Sequence, residues 1–121
     1  MDKIFDIIIV GAGPAGLMAG ISSKEGSRVC ILEKNASAGK KLLISGKGRC
    51  NVTTSKDIDE IVKVFGENGK FLYNALSQFS NQDVINFFEG RGVPLKEERG
   101  DRMFPVSNKS VSILNCLLIS T

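Results

Sequence analysis

Six residues near the amino end have the types and spacing of a phosphate cradle. Gly11-Ala12-Gly13-Pro14-Ala15-Gly16 reads GxGxxG and directly follows the apolar run Ile7 to Val10. In such a motif the first glycine allows a tight turn. The second lets a pyrophosphate approach the backbone, and the third lets helix and strand pack closely. The amino end of the following helix presents free N–H groups and the positive end of its dipole to an anion. Glu33 stands seventeen residues past Gly16, where an acid can accept hydrogen bonds from adenosine ribose hydroxyls and repel a 2′-phosphate. The pattern predicts a dinucleotide site and argues against NADP at this position. The fingerprint alone does not separate NAD from FAD. Its extreme N-terminal place, and the long basic glycine-rich stretch after Glu33, lean toward FAD.

That stretch carries five cations from Lys34 to Arg49 and no acid: Lys34, Lys40, Lys41, Lys47 and Arg49. Such a run is either a solvated face or a partner for an anion. Arg49 and one of the lysines are expected to face the phosphates, Arg49 because its guanidinium forms bidentate pairs.

These residues need elements to position them. Ile4-Phe5 and Ile7 to Val10 form a nearly continuous apolar run, as in a strand buried on both faces of a parallel sheet. Pro14 to about Lys24 reads as a helix with proline in its first turn, and Arg28 to Leu32 as a second strand. Asn35 to Thr54 lacks periodicity and reads as a long functional loop. Asp57 to Phe65 predicts a helix, and Gly69 separates it from a second, Lys70 to Phe79. Ser80 or Asn81 would cap a third, ended by Gly90 and Gly92. Val93 to Glu98 and Arg102 to Pro105 flank a hairpin turn at Arg99-Gly100-Asp101. Tyr73, on an apolar helix face, and Phe71, Phe79, Phe87 and Phe88 are expected in the core.

The 121 residues suffice for one small domain, and a net charge of +3 does not by itself call for a nucleic-acid or membrane partner. The three cysteines form no CxxC pair and there is no histidine, so no zinc constellation is expected and the thiols read as reduced. Absence of a signal-peptide pattern and of an apolar run of about 20 residues predicts a cytoplasmic protein off the membrane.

The loop Gly39-Lys40-Lys41-Leu42-Leu43-Ile44-Ser45-Gly46-Lys47-Gly48-Arg49-Cys50-Asn51-Val52-Thr53 closely resembles the GRKLLISGGGRCNxTN signature of the YhiN/BaiN-like flavoproteins, often labelled the aminoacetone oxidase family. Arg99-Gly100-Asp101-Arg102-Met103-Phe104-Pro105-Val106-Ser107 resembles that family's GRxFPxS segment. The resemblance implies an α/β fold: a Rossmann-like FAD/NAD(P)-binding domain of glutathione-reductase-like topology. It is incomplete here, since such chains are roughly three times this length. The implied division is a βαβ dinucleotide-binding unit at 1–34, a cofactor loop at 35–54, helices at 55–92, a hairpin at 93–106 and a truncated end at 107–121. By the same resemblance Gly11, Ala12, Gly13, Pro14 and Ala15 meet the pyrophosphate and Glu33 the ribose. Lys34 and Lys41 flank the adenosine end, while Ser45, Gly46, Arg49, Cys50 and Asn51 run toward the flavin.

The activity implied is hydride transfer between FAD and a small organic substrate, an enone-type skeleton or a small amine, either as a reductase with NAD(P)H as electron donor or as an oxidase using oxygen. The catalytic residues are not identified. Cys50 lacks a partner cysteine and reads as a packing residue rather than a redox thiol. Lys47, Thr54 and Ser112 depart from the family pattern, the last where an acid is expected. The apolar tail Ile113 to Ile119 needs something to pack against, and the competing expectation is an inactive fragment that self-associates through it. RNA binding by Lys40 to Arg49 is disfavoured, because that stretch has no aromatic residue for stacking.

Overall fold

Two short strands and the helix between them set the frame of the candidate site. In the computed structural model, which describes residues 2–121, β1 (Ile7–Val10) pairs in parallel with β2 (Val29–Leu32), Ile7 opposite Val29 and Val10 opposite Leu32. The connection is α1 (Pro14–Ile21), with Pro14 at its start and Gly13 as its N-cap. Parallel pairing demands such a crossover, and the small residues of α1 let it lie close. A Cβ at Gly16 would stand 1.9 Å from the Gly11 carbonyl oxygen, and one at Gly20 would stand 3.0 Å from the Ile31 side chain. Ile9 and Ile31 therefore face α1.

The opposite face of the sheet is open. Ile8, Val10 and Leu32 are exposed, Val10 by 85%. The strand expected to be buried on both faces is covered on one, because no other described element packs on its far side with Ile8 and Val10.

The chain divides into two compact units, 1–50 with 109–121 and 51–108. In the first, the glycine-rich stretch expected as loop contains α2 (Lys40–Ile44), followed by a 3-10 turn at Ser45–Gly48. The last helix of this unit, α6 (Ser110–Ser120), packs against α1 and α2. Ile113, Leu114, Cys116 and Leu117 are buried there, so most of the apolar tail finds its packing partners within its own unit. Val111, Leu118 and Ile119 face outward.

The second unit is a three-stranded antiparallel sheet with helices. β3 (Thr53–Thr54) pairs with β5 (Arg102–Pro105), which pairs with β4 (Leu95–Glu98) as the expected hairpin, Glu98 opposite Arg102. β3 was not anticipated. Three helices precede the hairpin: α3 (Ile58–Val64), α4 (Tyr73–Gln78) and α5 (Asn81–Glu89). Asp57 caps α3 by accepting the Glu60 N–H, and Ser80 caps α5 through a reciprocal pair with Asp83. The helix expected from Lys70 begins at Tyr73. Residues Gly66–Leu72 instead form a 3-10 turn, with Gly69 pressed against the Val62 carbonyl.

The expected aromatic core is only partly realised. Phe88 is buried and Phe87 half-buried, stacked edge-on with ring centroids 5.1 Å apart. Phe71 is 88% exposed and Phe79 and Tyr73 are also exposed. The Tyr73 hydroxyl donates to Asp59 at 2.6 Å, a polar anchor that keeps the ring at the surface and raises its pKa.

Candidate functional site

A cleft of about 400 Å³ opens where β1, β2, α1 and α2 converge. Its size lies in the range of small-molecule sites. It is lined by Gly11, Gly13 and Pro14 of the glycine turn, by Glu33 and Lys34 just past β2, and by Lys40 and Lys41 at the start of α2. Val10, Leu32 and Leu42 supply apolar surface.

The glycine turn leaves room for a ligand. Gly11 has φ +101°, a conformation that side chains rarely adopt, and a Cβ at either Gly11 or Gly13 would meet nothing within 4 Å. The first-turn amides of α1, next to this turn in sequence, have no carbonyl to bond inside the helix.

Glu33 is half-buried and fixed by backbone donors. The Asn35 N–H donates to Oε2 at 2.8 Å and the Ala12 N–H to Oε1 at 2.9 Å. These bonds, Asn35 first, hold its carboxyl below the usual glutamate range, so the cleft carries a fixed anion at neutral pH. A carboxylate has about four acceptor sites, and with the Asn35 side chain also contributing a weaker bond, capacity remains for a hydroxyl donor such as that of a ribose. Ala12 is itself buried, and its carbonyl accepts the Gly39 N–H at 2.9 Å. Both its backbone groups are thus engaged in shaping the turn.

Other expected site residues lie outside this cleft. The Ser45 hydroxyl donates to the Leu42 carbonyl at 2.6 Å. Gly46, at φ 55°, and Lys47, at φ 57°, are left-handed. Arg49 is half-buried in the same unit. Cys50 is buried with φ 61°, and burial pushes its thiol pKa up against a smaller opposing hydrogen bond with Ser45. That environment suits packing and not a thiolate. Asn51 belongs to the second unit, where its side-chain amide donates to the Thr53 and Met103 carbonyls. Ala15 and Gly16 lie in the first turn of α1. Gly39 was not expected as a lining residue, and Lys40 only as one of the lysines of which one would face the phosphates. The available sequence signal was a glycine directly before a Lys-Lys pair.

The chain matches the model of the HI0933-like protein Rossmann domain over residues 5–121. It belongs to that family. Among curated relatives, 3-dehydro-bile acid delta(4,6)-reductase of Clostridium scindens is 34% identical over 112 residues, covering 90% of this chain and 27% of that one. Ribosomal RNA dihydrouridine synthase of Escherichia coli is 33% identical over 101 residues, covering 83% and 25% respectively. Thiamine thiazole synthase of Thermococcus kodakarensis is 38% identical over 89 residues, covering 73% and 36%. The chain spans about a quarter of the length of the first two. Its fold is the family's Rossmann-like α/β unit. Among the described residues no helix is long and apolar enough to cross a membrane, and no group of three potential metal ligands occurs.

Proposed function

We propose that the cleft binds the adenosine diphosphate portion of FAD and that the chain is the dinucleotide-binding part of a flavoprotein oxidoreductase. The observation that carries this reading is the coincidence, in one cleft, of open space at Gly11 and Gly13 with an ionised, backbone-anchored Glu33. Gly13 and Pro14, with the amino end of α1, would hold the pyrophosphate, and Lys40 and Lys41 would offset its two charges. Glu33 would orient the ribose and reject a 2′-phosphate, which makes NADP a poor occupant. Ser45, Gly46, Arg49 and Cys50 are proposed further along the cofactor, and Lys34 beside the adenosine. When bound, the flavin supplies hydride transfer.

For the substrate, two relatives' names point to one chemistry. A Δ4,6-reductase and a dihydrouridine synthase both concern a carbon–carbon double bond conjugated to a carbonyl, or its saturated product. We assign this chain to reduction of such a bond in a small organic molecule, with NAD(P)H as electron donor. A second reading, with RNA as the carrier of the double bond, is favoured by charge: residues 1–50 and 109–121 hold nine Lys or Arg against four Asp or Glu. Free thiols at Cys30, Cys50 and Cys116 suit a cytoplasmic setting.

The test is to saturate the purified chain with FAD, remove free cofactor and record the visible flavin spectrum, with ADP as competitor and Gly13→Val as the blocked control. Retained, ADP-displaceable colour that Gly13→Val abolishes is the expected result. A colourless protein with no saturable ADP binding overturns the reading. Self-association on top of that result favours an inactive fragment.

A further inference from the structure

Helix α2 has five residues, and helices this short do not hold together alone in water. Yet Gly39, Lys40, Lys41 and Leu42, at its start, form one wall of the cleft. Its conformation must come from contacts outside it, and those contacts are specific.

At the leading end, the Gly39 N–H donates to the Ala12 carbonyl at 2.9 Å, and the Gly39 carbonyl accepts the Leu43 N–H at 3.0 Å. At the trailing end, the Leu43 carbonyl is one of the acceptors that a helix terminus leaves without an internal partner. It accepts the Ser110 hydroxyl at 2.8 Å. Ser110 opens α6 and is buried. Leu114, one turn further along α6, lies against Gly39, where an added Cβ would come within 2.4 Å of its Cδ1 atom. Neither Ser110 nor Leu114 lines the cleft.

We infer that α6 is the brace that sets the lysine-bearing wall, and that Ser110 and Leu114 are positioning residues for the nucleotide cleft. This rests on the reading of the cleft given above. Ser110 fixes one end of α2 by a hydrogen bond to its last turn, and Leu114 fixes the other by filling the space that Gly39 leaves. Lys40 and Lys41 are thereby presented as a pre-organised pair, without the cost of ordering them when an anion arrives.

The experiment uses the full chain with ADP as the probe, and hydrogen exchange of the free protein as a second readout. Ser110→Ala is expected to speed amide exchange at residues 40–44 by about tenfold, leaving α1 unchanged. It should weaken ADP binding roughly three- to tenfold. Ser110→Thr, which keeps the hydroxyl, should restore both, and Asn115→Ala, on the exposed side of the same helix, should change neither. Leu114→Ala should act in the same direction as Ser110→Ala. Wild-type exchange and affinity in Ser110→Ala would overturn the positioning role while leaving the cleft assignment standing. So would faster exchange spread uniformly over the chain. Absence of ADP binding by the wild type would remove the cleft assignment, and the positioning role with it.

Discussion

The Glu33 carboxylate accepts the Ala12 N–H at 2.9 Å, closing the end of β2 onto the turn that leaves β1. Its other oxygen accepts the Asn35 N–H at 2.8 Å, so one side chain fixes both the glycine turn and the start of the basic stretch. Glu33→Gln replaces an acceptor oxygen with an amide donor, which cannot satisfy both N–H groups. We expect FAD and ADP affinity to fall by roughly tenfold, the scale of losing one charge-assisted hydrogen bond. Calorimetric titration of both ligands checks this, and unchanged affinity for both would sink it.

The same carboxylate gives stability a defined pH dependence. The Asn35 and Ala12 donors lower its pKa in the folded state, and Asp6 is lowered likewise by its side-chain and backbone bonds with Arg28. A lowered folded pKa means stability present in full above the ordinary carboxylate range, about pH 4, and lost as pH falls through the folded values. Melting temperatures measured from pH 7 to pH 3 should therefore decline on the acid side. The decline should be shallower in Glu33→Gln, and parallel curves would count against the assignment.

Gly13 and Gly16 separate ligand binding from folding. A Cβ at Gly13 meets nothing within 4 Å, and its φ of −84° is open to alanine. Gly13→Ala should leave stability unchanged to within about 0.5 kcal/mol while intruding on the pyrophosphate. A Cβ at Gly16 would lie 1.9 Å from the Gly11 carbonyl oxygen, a backbone atom that cannot step aside. Gly16→Ala should cost about 1–3 kcal/mol, the usual scale of overpacking, or prevent folding. Denaturant midpoints and ADP titrations on both variants distinguish the effects, and equal stability losses would contradict this division.

The parts of this fold that announce themselves in sequence are those held by local rules. Gly11 to Gly16 opens a helix after an apolar run, and Ser80 with Asp83 starts another, each decided by residues a few positions apart. Helix α2 was missed because its conformation depends on Ser110, 67 positions from Leu43. Two-residue β3 was missed because it exists only as a partner of β5. Val10 and Phe71 misled for the opposite reason: an apolar residue reports what it favours contacting, not whether a neighbour within the chain is there to meet it. Glu33 was legible as the acid at the end of β2, whereas its backbone bonds to Ala12 and Asn35 followed only from the folded turn.

Helix α5 offers a stability test in the second unit. Ser80 Oγ accepts the Asp83 N–H at 3.1 Å, and Asp83 Oδ2 accepts the Ser80 N–H at 2.8 Å. The next residue, Asn81, is buried and donates to the Thr54 and Lys56 carbonyls, tying the helix start to β3. Ser80→Ala should lower stability by about 1 kcal/mol, seen as a reduced urea midpoint at constant slope. An unaltered midpoint would show that the Asn81 contacts alone hold the helix start.

Thiol reactivity should follow the open face of the parallel sheet. Cys30 lies opposite Ile8 in the register, on the side away from α1, and is half-buried. Cys116 is buried in α6, and Cys50 is buried with its thiol pKa raised by loss of solvent. Because the thiolate is the reactive form, each unit of raised pKa removes about tenfold of it at a fixed pH below the pKa. A thiol-specific reagent added to native protein should give one fast equivalent, abolished by Cys30→Ser. Cys50 and Cys116 should follow only as denaturant opens the unit. Fast labelling of Cys50 in the native state would instead place a reactive thiolate beside Ser45, and the packing role assigned to Cys50 would have to be abandoned.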